Sequence, residues 1–119
     1  TAEWNNNHYS LNDRARAYLD VNCAHCHSSK GYANTSGLFL EYNVTDLTKL
    51  GVFKTPVATG RGSGNLDYNI VPGRAKESIF IFRMESTDPG ILMPESGRKM
   101  VHKEGVTLIR EWIDSLEEN

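Results

Sequence analysis

Five consecutive residues place two thiols and two imidazoles within little more than one turn of chain. They are Cys23, Ala24, His25, Cys26 and His27. The C-x-x-C-H spacing is typical of covalent haem attachment, in which each thiol adds across a vinyl group and the following imidazole ligates the iron. The sequence therefore predicts one haem c, bonded through Cys23 and Cys26 and ligated by His27. We interpret His25 as a solvent-facing spacer.

The same two cysteines permit two other interpretations. A C-x-x-C redox disulfide normally accompanies a βαβ pattern, which this sequence lacks. A structural zinc ion requires four ligands, and the cysteines and histidines of this chain form no second paired cluster at zinc-finger spacing. Either alternative predicts a colourless protein, whereas a haem protein is coloured.

Three methionines compete for the iron position opposite His27. A haem that only carries electrons normally has a second axial ligand, and methionine in that position raises the reduction potential. Met84 lies on a predicted helix and fits a core position, since methionine is a common gap filler. Met100 follows two basic residues and fits a surface turn. Met93 is the predicted ligand, because Pro94 restricts it to an extended backbone that suits a rigid loop.

Helices must position these groups. Ser10 and Asp13 form a capping box, and an apolar repeat follows it, so a first helix is predicted to run from Leu11 into Cys23. A second helix is predicted over residues 75–84, despite a strand-like Ile-Phe-Ile-Phe run. A last helix is predicted over residues 106–116, where apolar residues recur at helical spacing.

The remaining segments lack strong periodicity. Residues 28–69 are predicted to form long irregular loops, and a large apolar cofactor would supply the core that such loops cannot. Turn residues on both sides lead us to expect Ile91, Leu92 and Met93 to be exposed.

Length and charge limit the range of functions. The chain of 119 residues fits a single domain spanning 1–119, with a core over about 10–116. A net charge of −2 excludes the basic footprint of a nucleic-acid binder. No apolar run approaches the roughly 20 residues of a membrane span, so no transmembrane helix is predicted. Residues 28–103 carry a net charge of +3 and residues 104–119 a net charge of −4.

The order of these features resembles a class I mono-haem cytochrome c over roughly residues 10–116. It comprises a helix, the Cys23–His27 motif, a long loop, Met93-Pro94 and a terminal helix with Trp112. Mono-haem domains appended to secreted bacterial multidomain proteins, often beside sugar-dehydrogenase-like or carbohydrate-binding domains, are similar in further segments. These are Leu38–Tyr42, Val71–Gly73 with Ser78, and Gly105-Val106 leading to Trp112-Ile113.

The resemblance implies an all-α, class I cytochrome c fold. Its N- and C-terminal helices would cross over a haem wrapped by long loops, with Ala15 and Trp112 at the crossing. It also implies an electron carrier rather than an enzyme, located in the periplasm or outside a bacterial cell. The implied partners are redox proteins, such as a dehydrogenase or oxidase in the same polypeptide or secreted system.

This sequence departs from the family pattern in two places. No proline follows the motif over Ser28–Gly31, so the acceptor that orients the His27 ring is not identified. His102 stands at the predicted cap of the last helix, where relatives tend to carry Asp. A haem enzyme or gas sensor with an open distal site is the alternative function, and it requires that Met93 not bind the iron.

Overall fold

The computed structural model describes residues 2–24, 38–55, 63–88, 91, 93 and 102–117. Within these residues the chain forms three α-helices and no β-strand: α1 at Leu11–Asn22, α2 at Ile79–Glu85 and α3 at Lys103–Ser115. A 3₁₀ turn, Ala75–Glu77, precedes α2. The described residues form a compact and mostly helical structure, which is compatible with the predicted all-α class, and the class I cytochrome c fold stays a prediction.

Local sequence determines both ends of α1. The Ser10 side chain accepts a hydrogen bond from the N–H of Asp13 at 3.1 Å, as the capping box predicts. The buried face of the helix includes Ala15 and Leu19. Cys23 is the C-cap residue, so the prediction that α1 delivers the first cysteine of the motif is confirmed.

The prediction of one continuous helix over residues 75–84 is wrong. Ser78 has an extended backbone, with φ −100° and ψ 128°, and it separates the 3₁₀ turn from α2. Its Oγ accepts the N–H of Val71 at 2.8 Å, and the N–H of Ile79 donates to the carbonyl of Tyr68 at 3.0 Å. These bonds to an earlier loop replace the helical bonds that a continuous helix would make here.

The first and last helices pack against each other, as predicted. Ala15 and Trp112 are both buried in the shared core. The indole N–H of Trp112 donates to Asn12 Oδ1 at 2.9 Å, while Tyr18 lies directly against Gly105. The two helices therefore run in opposite directions across their contact. Helix α3 begins at Lys103, directly after the predicted cap residue His102, and includes the glycine that this contact requires.

The described part of the predicted loop region contains turns and isolated bridges. Val52 pairs with Ile70, and Tyr68 pairs with Ser78, each as a single parallel bridge. The prediction that this region is irregular is confirmed for residues 38–55 and 63–69.

One core cluster joins these elements. Its fully or nearly buried members are Ala15, Tyr18, Leu19, Ala24, Leu40, Leu50, Ile70, Ala75, Ile81, Met84, Val106, Leu108, Ile109, Trp112 and Ile113. Every helix and the loop segments before and after residue 56 contribute to it, so the loops are part of the packed structure.

The expected exposure of the segment around Met93 is wrong. Ile91 is only 8 % exposed, and Met93 is half-buried. The N–H of Ile91 donates to the carbonyl of Asp88 at 2.9 Å, and this bond fixes the backbone of the buried Ile91. Leu92 lies outside the described residues.

Candidate functional site

The cysteine that begins the motif lies at the C-terminal end of α1. The N–H of Cys23 donates to the carbonyl of Leu19 at 2.9 Å, and the N–H of Ala24 donates to the same carbonyl at 3.0 Å. Cys23 is half-buried and packs against the core cluster, while Ala24 belongs to it. The backbone at the start of the motif is therefore fixed, and the thiol lies at the edge of the core.

The other predicted haem-binding residues of the motif, Cys26 and His27, lie outside the described residues, as does His25. The structure therefore does not place the second thiol and the imidazole relative to Cys23. Their roles stay predictions from the spacing of the motif.

The structure separates two of the three methionines. Met84 lies on α2, is 8 % exposed and belongs to the core cluster, which confirms its interpretation as a core residue. Met93 is half-buried and lies outside that cluster. Its backbone is nevertheless fixed, because its N–H donates to the carbonyl of Arg83 at 3.0 Å. Met100 lies outside the described residues.

A buried arginine on α1 holds the segment after the motif. Arg16 is 8 % exposed, and its Nη2 donates to the carbonyls of Glu41 at 2.8 Å and Tyr42 at 3.2 Å. The Asp20 carboxylate accepts the N–H of Tyr42 at 3.0 Å. Burial lowers the pKa of Arg16, and the nearby Tyr42 and Asp20 partly offset that effect.

The role of Arg16 is not evident from the sequence. An arginine within an apolar helical stripe is the only signal that could have indicated it, since its partners lie 25 and 26 residues away in the chain. These contacts attach a loop to the helix that carries Cys23. They restrict the position of residues 41 and 42 relative to the motif.

His102 has a contact that its sequence position did not reveal. It is the N-cap residue of α3, and its side chain makes no capping hydrogen bond, in line with the expectation of a weak cap. Its Nδ1 lies instead 2.8 Å from the Tyr18 hydroxyl, and its Nε2 lies 3.1 Å from a carboxylate oxygen of Glu104. Trp4 packs edge-on against both the Tyr18 and His102 rings. His8 is exposed.

The donor set is chemically suited to haem. Cysteine thiols, a histidine imidazole and a methionine thioether are the groups that attach and ligate a haem c. The two of these groups that the structure describes, Cys23 and Met93, are each half-buried on a hydrogen-bonded backbone. Neither side chain is fully enclosed by the core, unlike that of Met84. Cys23 lies at the edge of the core, whereas Met93 lies outside the core cluster.

No group of three or more His, Cys, Asp or Glu side chains suited to a metal ion occurs among the residues that the structure describes. In the same part of the chain, no helix has the length and apolar character needed to cross a bilayer. Comparison of the whole chain with protein-family models, curated proteins and solved structures finds no match. Any assignment of function therefore depends on the chain's own residues.

Proposed function

We propose that this chain is a class I mono-haem cytochrome c domain that carries single electrons. Cys23 and Cys26 would bind the haem covalently, with His27 and Met93 as its axial ligands. The observation that carries the proposal is the position of Cys23, which caps α1 and lies half-buried against the core. A thiol placed there would hold a porphyrin against apolar side chains, where most of its surface is removed from water.

The bound haem would supply one-electron redox chemistry, and the residues of the chain would control its surroundings. Helix α1 fixes the backbone at the first attachment point. Arg16 and Asp20 hold residues 41 and 42 on the same helix. The hydrogen bond from Met93 to Arg83 fixes the chain at the proposed sixth ligand. A rigid surrounding suits electron transfer, because little structure has to reorganise when the charge changes.

The proposed location is the bacterial periplasm or the extracellular space, where dedicated machinery attaches haem to reduced thiols. The proposed partners are redox proteins, such as a dehydrogenase or an oxidase in the same polypeptide or secreted system. The net charge of +3 over residues 28–103 would favour an acidic partner surface. Association steered by these charges should weaken as the ionic strength rises.

Covalent attachment is the direct test. The chain should be exported from a bacterium that has cytochrome maturation machinery, and a denaturing gel should be stained for haem peroxidase activity. Staining at the mass of the chain is expected for the unaltered protein and for the spacer variant His25→Ala. Loss of the stain is expected for Cys23→Ala combined with Cys26→Ala. Pigment that acidified solvent extracts from the unaltered protein would contradict the proposal.

Carbon monoxide tests the alternative of an open-site haem enzyme or sensor. A ferrous carrier with Met93 on the iron should bind carbon monoxide weakly. The Met93→Ala variant should bind it readily, because its distal position is open. Tight binding by the unaltered protein would instead favour the alternative.

A further inference from the structure

Two hydrogen bonds connect Arg83 to the chain around Met93. The guanidinium Nε of Arg83 donates to the carbonyl of Ile91 at 3.1 Å. The backbone carbonyl of Arg83 accepts the N–H of Met93 at 3.0 Å. One residue on α2 therefore binds this segment at two points, once through its side chain and once through its backbone.

The position of Arg83 in α2 explains its available carbonyl. The helix spans Ile79–Glu85, so Arg83 lies in its last turn. The last four carbonyls of a helix have no partner within the helix and must find one elsewhere. The N–H of Met93 is the partner of the Arg83 carbonyl. This hydrogen bond attaches the backbone of Met93 to the C-terminal end of α2.

The segment has a second anchor next to this contact. Ile91 is 8 % exposed, and its N–H bonds to the carbonyl of Asp88 at 2.9 Å. The Arg83 side chain binds the same residue on its carbonyl side. Both backbone groups of Ile91 are thus hydrogen-bonded, and the chain direction at that point is set by a turn and a guanidinium together.

Met93 depends on these contacts more than Met84 does. Met84 is packed within the core cluster, so its neighbours on all sides fix it. Met93 is half-buried, and its position follows from the backbone that carries it. A charged donor such as guanidinium forms stronger hydrogen bonds than a neutral group and directs them through a rigid planar geometry.

We propose that Arg83 is a positioning residue that holds the Met93 thioether in place as the sixth ligand of the haem. This inference rests on the proposed function, because it requires an iron for the Met93 sulfur to bind. Removing the guanidinium takes away the hydrogen bond to the Ile91 carbonyl and leaves the covalent attachment and the backbone bond from Met93 intact, so the chain at Met93 is held less firmly. The closed state of the iron site then becomes less favourable relative to an open one.

The test compares Arg83→Gln with Arg110→Gln in the exported protein. Arg110→Gln is a matched control, because it removes the same charge close to the same end of α2. The Nη2 of Arg110 contacts Glu85 there at 2.6 Å. The readouts are the far-red absorption band of thioether-ligated ferric iron, the affinity of the ferrous protein for carbon monoxide, and the urea midpoint of unfolding. In Arg83→Gln the carbon monoxide affinity should rise roughly ten- to a hundred-fold. As urea is added, the far-red band should disappear at concentrations well below the midpoint of unfolding. Arg110→Gln should match the unaltered protein in both iron readouts.

The conservative variant Arg83→Lys distinguishes a positioning role of Arg83 from a general loss of folding. Arg83→Lys keeps the charge and loses the planar fork, so its carbon monoxide affinity should lie between those of the unaltered protein and Arg83→Gln. If Arg83→Gln and Arg110→Gln give the same band and the same affinity, the positioning role is overturned while the cytochrome assignment stands. If the unaltered protein binds no covalent haem, the proposed function itself fails. If the Met93→Ala variant keeps the far-red band, Met93 is not the sixth ligand, and the positioning role of Arg83 fails.

Discussion

The Tyr18 hydroxyl lies 2.8 Å from Nδ1 of His102, and the two rings stack with their centroids 5.7 Å apart. Tyr18 is fully buried, and the histidine stands at the first turn of α3. This pair joins the middle of α1 to the start of α3, so it connects helices from the two ends of the chain.

Removing the hydroxyl should weaken that connection. Tyr18→Phe leaves the His102 nitrogen without this partner, and the free energy of unfolding should fall by about 1 to 2 kcal/mol. Urea unfolding of the haem-loaded protein provides the measurement, with Tyr9→Phe as the control, since Tyr9 is exposed. A double-mutant cycle with His102→Ala should give a coupling energy above about 0.5 kcal/mol. Purely additive losses would contradict a direct interaction.

Gly105 should tolerate no side chain, although it lies inside a helix. A Cβ at this position would overlap both the hydroxyl and the ring of Tyr18. Gly105→Ala should therefore destabilise the protein by about 1 to 3 kcal/mol, even though alanine favours helices by about 1 kcal/mol over glycine. The exposed Thr107→Ala on the same helix is the control and should change the unfolding midpoint little. A stabilised Gly105→Ala variant would show that the helices are not this close.

Arg16 should matter far more than a surface arginine. Arg16→Met removes the donor to the carbonyls of Glu41 and Tyr42, and the free energy of unfolding should fall by about 2 to 3 kcal/mol. Arg74→Met is the comparison, because the Arg74 side chain is 58 % exposed and forms an ion pair with the exposed Glu77. We expect that variant to lose at most about 1 kcal/mol. If thermal or urea unfolding shows that Arg16→Met and Arg74→Met lose the same stability, the role of Arg16 in holding residues 41 and 42 is contradicted.

Met93 and Met84 should respond to truncation in opposite ways. Met93→Ala should abolish the far-red band and lower the reduction potential, because thioether sulfur favours ferrous iron, while covalent haem survives. Met84→Ala should keep the band and cost about 2 to 5 kcal/mol of stability, since Met84 lies in the core. Met100→Ala should change neither property. A band that survives Met93→Ala and disappears in one of the other variants would reassign the sixth ligand.

The protein without haem should be largely unfolded. Expression in the bacterial cytoplasm should yield apoprotein, since attachment machinery acts outside that compartment. A cofactor that binds only the folded state stabilises it, so its absence should remove the cooperative thermal transition. Circular dichroism on both forms measures this. A native-like transition in the apoprotein would show that the chain's own core is sufficient.

Local signals predicted the features that depend on neighbouring residues. Ser10 caps α1 because its partner lies three residues away, and the apolar repeat of α1 shows directly in the sequence. The break at Ser78 could not be predicted in this way, because its hydroxyl binds Val71 and the adjacent N–H binds Tyr68. Helical propensity in that segment gave no indication of these bonds to an earlier loop.

The same limit applies to the candidate site. The spacing of Cys23, Cys26 and His27 by itself predicts covalent haem binding. No knowledge of tertiary contacts is needed for that prediction. The contacts of Arg16, Arg83 and His102 depend on how distant segments pack, which the sequence does not display. For Met93, the turn residues around it suggested exposure, whereas the structure has it half-buried beside a buried Ile91.

The hydrogen bond between Asn12 and Trp112 spans 100 residues of chain. Closing so long a loop costs conformational entropy, and that cost must be met before the contact contributes any stability. Because α1 precedes α3 in the chain, it is synthesised before its packing partner. The part of α1 that packs against α3 therefore remains in water until Lys103–Ser115 has been made. The contact between α1 and α3 is therefore among the last to form as the chain folds.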